Sequence, residues 1–146
     1  MRASAVQIEL PASAPQPSAQ ADKGLAGGGV RVLLQLEGLA AFAAAVALYA
    51  HLGFSWPLFA VLFLAPDLAM LAYFAGPRPG AAAYNLVHTY TAALALAFAG
   101  FFAGSPAAAS LGLILIAHIG FDRTLGYGLK YATGFGDTHL GRAGRR

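Results

Sequence analysis

Residues 57–75 read PLFAVLFLAPDLAMLAYFA, and the only charge in that stretch is Asp67. About 20 apolar residues, rising about 1.5 Å each as an α-helix, cross the roughly 30 Å of hydrocarbon in a bilayer. A water-facing helix keeps a polar face, and this segment has none. It therefore reads as a membrane span, with Pro57 suited to its first turn because the missing N–H is not needed there.

Three further apolar runs flank it, at about residues 30–52, 81–102 and 107–122. The separators are turn signals: Gly53 to Trp56, then Gly76-Pro77-Arg78-Pro79-Gly80, then Gly104-Ser105-Pro106. The expected fold is all-α, an integral membrane bundle of four transmembrane helices at about 30–52, 57–75, 81–102 and 107–122. The fourth run is short and is expected to stand close to the bilayer normal.

Composition agrees. The chain of 146 residues is 58% hydrophobic and 10% charged, and between Val32 and Phe121 the charged residues are Glu37, Asp67 and Arg78 alone. The mean hydropathy of +0.63 also excludes an ordinary soluble domain. Without cysteine, disulfides, thiolate catalysis and Cys-type metal sites are excluded, so any metal needs His and carboxylate ligands. The net charge of +3 comes from basic residues that flank apolar runs. That arrangement indicates membrane topology, with the lipid bilayer as partner and no nucleic acid. Nothing in the pattern signals a homo-oligomer.

Residues 1–29, rich in Ala, Pro, Ser, Gln and Gly, are expected to form a disordered cytoplasmic tail. Pro11, Pro15, Pro17 and Glu9 interrupt any secretory h-region, so the first span is expected to direct insertion. The transmembrane domain is then 30–123, and 124–146 is a glycine-rich cytoplasmic or interfacial tail with too much glycine for a fifth helix. With four spans, Arg2, Lys23, Arg31, Arg78, Arg123, Lys130, Arg142, Arg145 and Arg146 all fall on one side. Basic loops stay in the cytoplasm, which implies the cytoplasmic (inner) membrane with both termini inside. Tyr49, Phe54 and Trp56 are expected in the outer aromatic belt, and Tyr73, Tyr84 and Tyr127 near the inner interface.

Ionisable groups in hydrocarbon cost a few kcal/mol each and are commonly paired or functional. Counted from the cytoplasmic end, Glu37 lies about 10 Å deep, Asp67 and His88 about 12 Å, His118 about 6 Å and Asp122 at the boundary. All four spans contribute to this layer. His118 and Asp122 share a helix face, as do Tyr84, Asn85 and His88. Glu37 is read as pointing inward along the small seam of Ala40, Ala41, Ala44 and Ala45, and Pro66 is expected to bend the second span beside Asp67.

Asp67, His88, His118 and Asp122 are the candidate metal ligands for zinc, manganese or iron, with Glu37 as candidate general base. Tyr84, Asn85, Arg123, Asp137 and His139 would support them, the last two as part of a lid. Three readings stay open at this point. One is a buried hydrogen-bond network that fixes helix register, one a metal-dependent enzyme on a lipid or interfacial substrate, and one a proton or small-solute translocator. His51, near the outer turn, is read as interfacial.

Several runs carry a family resemblance: Leu36-Glu37-Gly38, Ala65-Pro66-Asp67-Leu68-Ala69-Met70-Leu71, Gly80-Ala81-Ala82-Ala83-Tyr84-Asn85-Leu86-Val87-His88, His118-Ile119-Gly120-Phe121-Asp122-Arg123, Gly126-Tyr127-Gly128-Leu129-Lys130-Tyr131 and Asp137-Thr138-His139-Leu140-Gly141. Together they resemble the bacterial membrane-protein family known as domain of unknown function 4260, over about residues 33–142. The resemblance implies a small integral membrane protein and no particular reaction. Pro-Asp followed some twenty residues later by His-Thr is similar, more faintly, to membrane-bound metal-dependent hydrolases. This chain departs from them by lacking a His-Arg-Gly run before Thr-His-Ser.

Overall fold

The computed structural model describes Ala26 and residues 28–142. The expected tail of residues 1–29 therefore falls almost wholly outside the described residues, as do Arg145 and Arg146. The chain is an all-α membrane bundle whose four spans, Gly28–His51, Trp56–Ala75, Pro77–Phe102 and Pro106–Leu125, are each long and apolar enough to cross a bilayer.

Helix α1 (Gly28–His51) is continuous. The second span is not: α2 (Trp56–Leu62) is capped by the Ser55 hydroxyl, and after Phe63 and Leu64 the chain rewinds as a 3-10 helix over Ala65–Ala75. Pro66 has no N–H for the α-helical ladder and forbids its continuation. The third span is also interrupted. Helix α3 (Pro77–Val87) ends at His88, and α4 (Tyr90–Phe102) starts afresh with Thr89 as its cap. Helix α5 (Pro106–Leu125) runs unbroken to Gly126, which closes it in the left-handed conformation at φ 90°.

Three boundaries differ from the sequence reading. The third span begins at Pro77 rather than Ala81, because Pro77 and Pro79 occupy the first turn, where their missing donors cost nothing. It also breaks at His88, which no glycine or proline announces. The fourth span extends past Asp122 to Leu125, so it is a full-length span and not a short one.

Helix α5 is the centre of the bundle, packed by α1 on one side and α4 on the other. Both contacts use small residues so that backbones meet closely. A Cβ on Gly120 would lie 2.6 Å from the Phe42 nitrogen and 2.7 Å from the Gly38 carbonyl oxygen, and one on Gly38 would lie 2.7 Å from Arg123 Cβ. Gly112 meets Ala97, and Gly100 meets Ala109, in the same way. The buried seam of α1 is therefore Gly38, Ala45 and Tyr49. Glu37, one position and about 100° away, is exposed. This corrects the inward orientation expected for it.

Tyr49 corrects a second expectation. It is fully buried with Leu113 and Ile114, its hydroxyl donates to the Ser55 carbonyl at 2.7 Å, and Phe54, Trp56 and Phe59 surround its ring. A tyrosine so placed is part of the core, not of an outer belt.

After Gly126 the chain folds back on the bundle. A two-stranded antiparallel ladder, β1 (Asp137–Thr138) with β2 (Gly141–Arg142), is joined by a bridge between Lys130 and Thr138. Leu140 and Thr138 are fully buried, so this segment is docked structure, and its described residues contain no fifth helix.

Candidate metal centre

Both interrupted spans break at the same place. Asp67 lies in the first turn of the 3-10 helix, His88 caps the end of α3, and His118 and Asp122 stand one turn apart on α5. The Nε2 atoms of His88 and His118 face each other at 3.0 Å. Asp67 Oδ1 is 3.5 Å from the first and 3.6 Å from the second, and Asp122 Oδ2 is 3.7 Å from both. One donor atom from each of the four lies within 4.8 Å of all the others.

These lengths bear on chemistry. An ion about 2.0–2.2 Å from four tetrahedral ligands holds them about 3.3–3.6 Å apart; the two Asp67 separations fall there, the Asp122 separations of 3.7 Å are slightly longer and the His88–His118 separation of 3.0 Å is shorter. The donor set of two imidazoles and two carboxylates suits zinc, manganese or iron. His88 Nδ1 is 2.9 Å from the Tyr84 carbonyl, which only accepts, so Nδ1 carries the hydrogen. In the neutral ring Nε2 is then a bare lone pair aimed at the cluster. His88 and His118 are 3% and 1% exposed, whereas the Asp67 side chain is 33% exposed.

Tyr84 organises the group three times over. Its carbonyl orients His88, its ring stacks on the His88 imidazole at 3.6 Å and 11°, and its hydroxyl donates to Asp122 Oδ2 at 3.0 Å. Such partners fix the tautomer and direction of a metal ligand. The 3-10 winding contributes on the other side. Residues three apart eclipse one another, so Asp67, Met70 and Tyr73 form one stripe. Asp67 and Met70 border a cavity, and Tyr73 lies over Gly80 and against Phe135.

That cavity, about 270 Å³, adjoins Asp67 and Asp122 and is also lined by Tyr127, Lys130 and Phe135 of the C-terminal segment. Asn85 holds the segment in place as a neighbouring strand would. Its amide donates to the Lys130 carbonyl and its oxygen accepts the Lys130 N–H, each at 2.8 Å. The Lys130 ammonium donates to the Phe135 carbonyl at 3.0 Å and sits over the Phe135 and Tyr84 rings. Burial pulls its pKa below the ordinary lysine value, and the Asp122 and Asp67 carboxylates pull it back up.

A family model described as domain of unknown function (DUF4260) matches residues 31–143. The chain belongs to the DUF4260 family. No curated protein and no solved structure matches it. Within this DUF4260 chain the structure brings Asp67, His88, His118 and Asp122 together, with Tyr84 against His88 and Asp122 and Asn85 on the Lys130 backbone.

The other candidates are placed apart. Glu37 is exposed on α1 and is not among the four clustered donors. The Arg123 guanidinium lies 4.6 Å over the Tyr90 ring, and the residue also lines a water-sized niche beside His88 and Asp122. Asp137 accepts from Arg142 Nε at 3.1 Å and Thr133 Oγ1 at 2.8 Å, within the hairpin. His139 Nδ1 accepts the Leu129 N–H at 2.9 Å, and burial lowers its pKa, with help from Arg123. Lys130 and Phe135 were not among the sequence candidates. About sixty residues separate Lys130 from the 3-10 stripe, and the docking of the tail, by Asn85 on Lys130 and by Phe135 on Tyr73, joins them.

Proposed function

We propose that this DUF4260 protein is a membrane-embedded, divalent-metal-dependent enzyme of the hydrolase kind. Its substrate would be a lipid or an interfacial molecule at the inner leaflet of the cytoplasmic membrane. The observation that carries the reading is the convergence of four donor atoms, from Asp67, His88, His118 and Asp122, within 4.8 Å of one another, two of them on sealed histidines. Two carboxylates balance the charge of one divalent ion, which makes such a centre tolerable in a low-dielectric bundle. Bound there, the ion would supply a Lewis acid and lower the pKa of a water.

The chain's own residues divide the remaining work. His88 and His118 exclude solvent from one side, and Tyr84 holds His88 and Asp122 in direction. Asp67, partly exposed and lining the cavity, is the carboxylate that would hold the ion on its solvent side and is placed to accept a proton from water. Interrupted helices within a membrane are tolerated where they line a cavity, and Asp67, just past the break in the second span, lines this one. A cytoplasmic orientation is supported by the basic residues. Arg31, Arg78, Arg123, Lys130 and Arg142 all lie at the end of the bundle that holds the site, and the opposite turns, residues 52–55 and 103–105, carry none.

The test is metal analysis of the full chain purified in mild detergent. One ion per chain is expected, lost in His88→Ala and His118→Ala proteins that keep their helical circular dichroism. A folded wild-type protein that neither contains nor takes up zinc, manganese or iron overturns the assignment.

A further inference from the structure

We infer that the cavity beside the candidate metal centre accepts the phosphate of an anionic amphiphile, with Lys130 as its cationic contact; this rests on the metal reading above. With a divalent ion present, Asp67 and Asp122 are already neutralised, and the local balance leaves the Lys130 ammonium over. Lys130 is 6% exposed, and its contacts are a carbonyl and two aromatic rings, with no ion pair among the described residues. Neutral partners of this kind hold a cation but do not cancel it. An uncompensated buried charge is costly, so an anion entering the cavity is stabilised from two sides, by the ion and by Lys130.

Size and surroundings narrow the class. A volume of about 270 Å³ is near the lower limit of about 300 Å³ for ligand pockets, enough for a headgroup and too small for acyl chains. Met70, Tyr127 and Phe135 make the rest of the wall apolar. On the outer side of the same 3-10 helix, Leu68, Leu71 and Phe74 are exposed at 66%, 59% and 92%, an apolar surface on which chains could lie while the head turns inward. Free phosphate shares the head chemistry but gains nothing from these residues.

The experiment uses metal-loaded full-length protein in detergent and measures binding of dioctanoyl phosphatidic acid, dioctanoylglycerol and inorganic phosphate by calorimetry. Phosphatidic acid should bind about 10- to 100-fold more tightly than dioctanoylglycerol, the range given by one charge-assisted hydrogen bond. Lys130→Met should remove that preference, and Lys130→Arg should keep it, with metal content unchanged in both. Inorganic phosphate should bind more weakly than phosphatidic acid; equal affinity would overturn the amphiphile. Equal binding of the neutral lipid, or a Lys130→Met protein with its preference intact, would overturn the phosphate contact. Loss of metal binding in the wild type removes the metal reading itself, whereas stoichiometric metal with no anion preference removes only this inference.

Discussion

Replacement of Asn85 by alanine isolates the docking of the C-terminal segment from the packing of the bundle. The Asn85 amide makes two bonds of 2.8 Å to the backbone of Lys130, a residue almost wholly buried. The other edge of Lys130 is already used by the ladder, in which Tyr131 N–H reaches Asp137 and His139 N–H reaches Leu129. No replacement partner stands behind Asn85, so the substitution orphans one donor and one acceptor. An unmade bond of this kind costs about 1–3 kcal/mol, which for two gives about 2–4 kcal/mol after partial hydration. At a factor of ten for each 1.4 kcal/mol, the segment should open about 30 to 700 times more often. Hydrogen exchange resolved by mass spectrometry, on protein in detergent, reads this directly: residues 127–142 should exchange faster while the four spans stay protected. Asn85→Asp, which keeps the acceptor for the Lys130 N–H and loses the donor, should fall between. Unchanged exchange in 127–142, or equal acceleration throughout the spans, would refute the argument.

Three other outcomes are expected. Gly120→Ala puts a methyl group into the backbone of α1 at Phe42 and Gly38, which cannot rotate away; a loss of about 3 kcal/mol is expected, seen as a lower thermal midpoint, and an unchanged midpoint would contradict the close crossing. Tyr84→Phe keeps the ring stacked on His88 and deletes the bond to Asp122, so metal affinity measured by chelator competition should fall about 10- to 100-fold; equal affinity would remove its supporting role. His139 has a folded pKa below its unfolded value of about 6.5, so its contribution is present above that pH and declines as pH falls through and below it. Protection of residues 127–142, corrected for intrinsic exchange, should therefore weaken between pH 7.5 and 5.5, and less so in His139→Gln, which retains an acceptor for Leu129; a pH-independent wild type would contradict this.

Four spans, and the depth at which Asp67, His88, His118 and Asp122 lie, were legible in the sequence because hydrocarbon imposes a length and a polarity that few other solvents impose. The spacing of His118 and Asp122 on one face, and the disturbance at Pro66, follow from local geometry and could be read residue by residue. Rotation about the helix axis could not. Glu37 and Gly38 differ by about 100°, and which of them turns inward depends on the partner helix: Gly38 and Gly120 permit a close crossing that a neighbouring carboxylate would block. The break at His88 was equally hidden, since no proline or glycine marks it and it coincides with the histidine's own bond to Tyr84. Nor could composition reveal that a glycine-rich tail docks through Asn85 and carries Lys130 to the cavity. Sequence alone thus determined the solvent, the number of spans and the layer of polar groups, all of which depend on local composition. Tertiary structure decided which of those groups share one centre and which cation faces it, because azimuth and long-range docking are set by contacts between segments far apart in the chain.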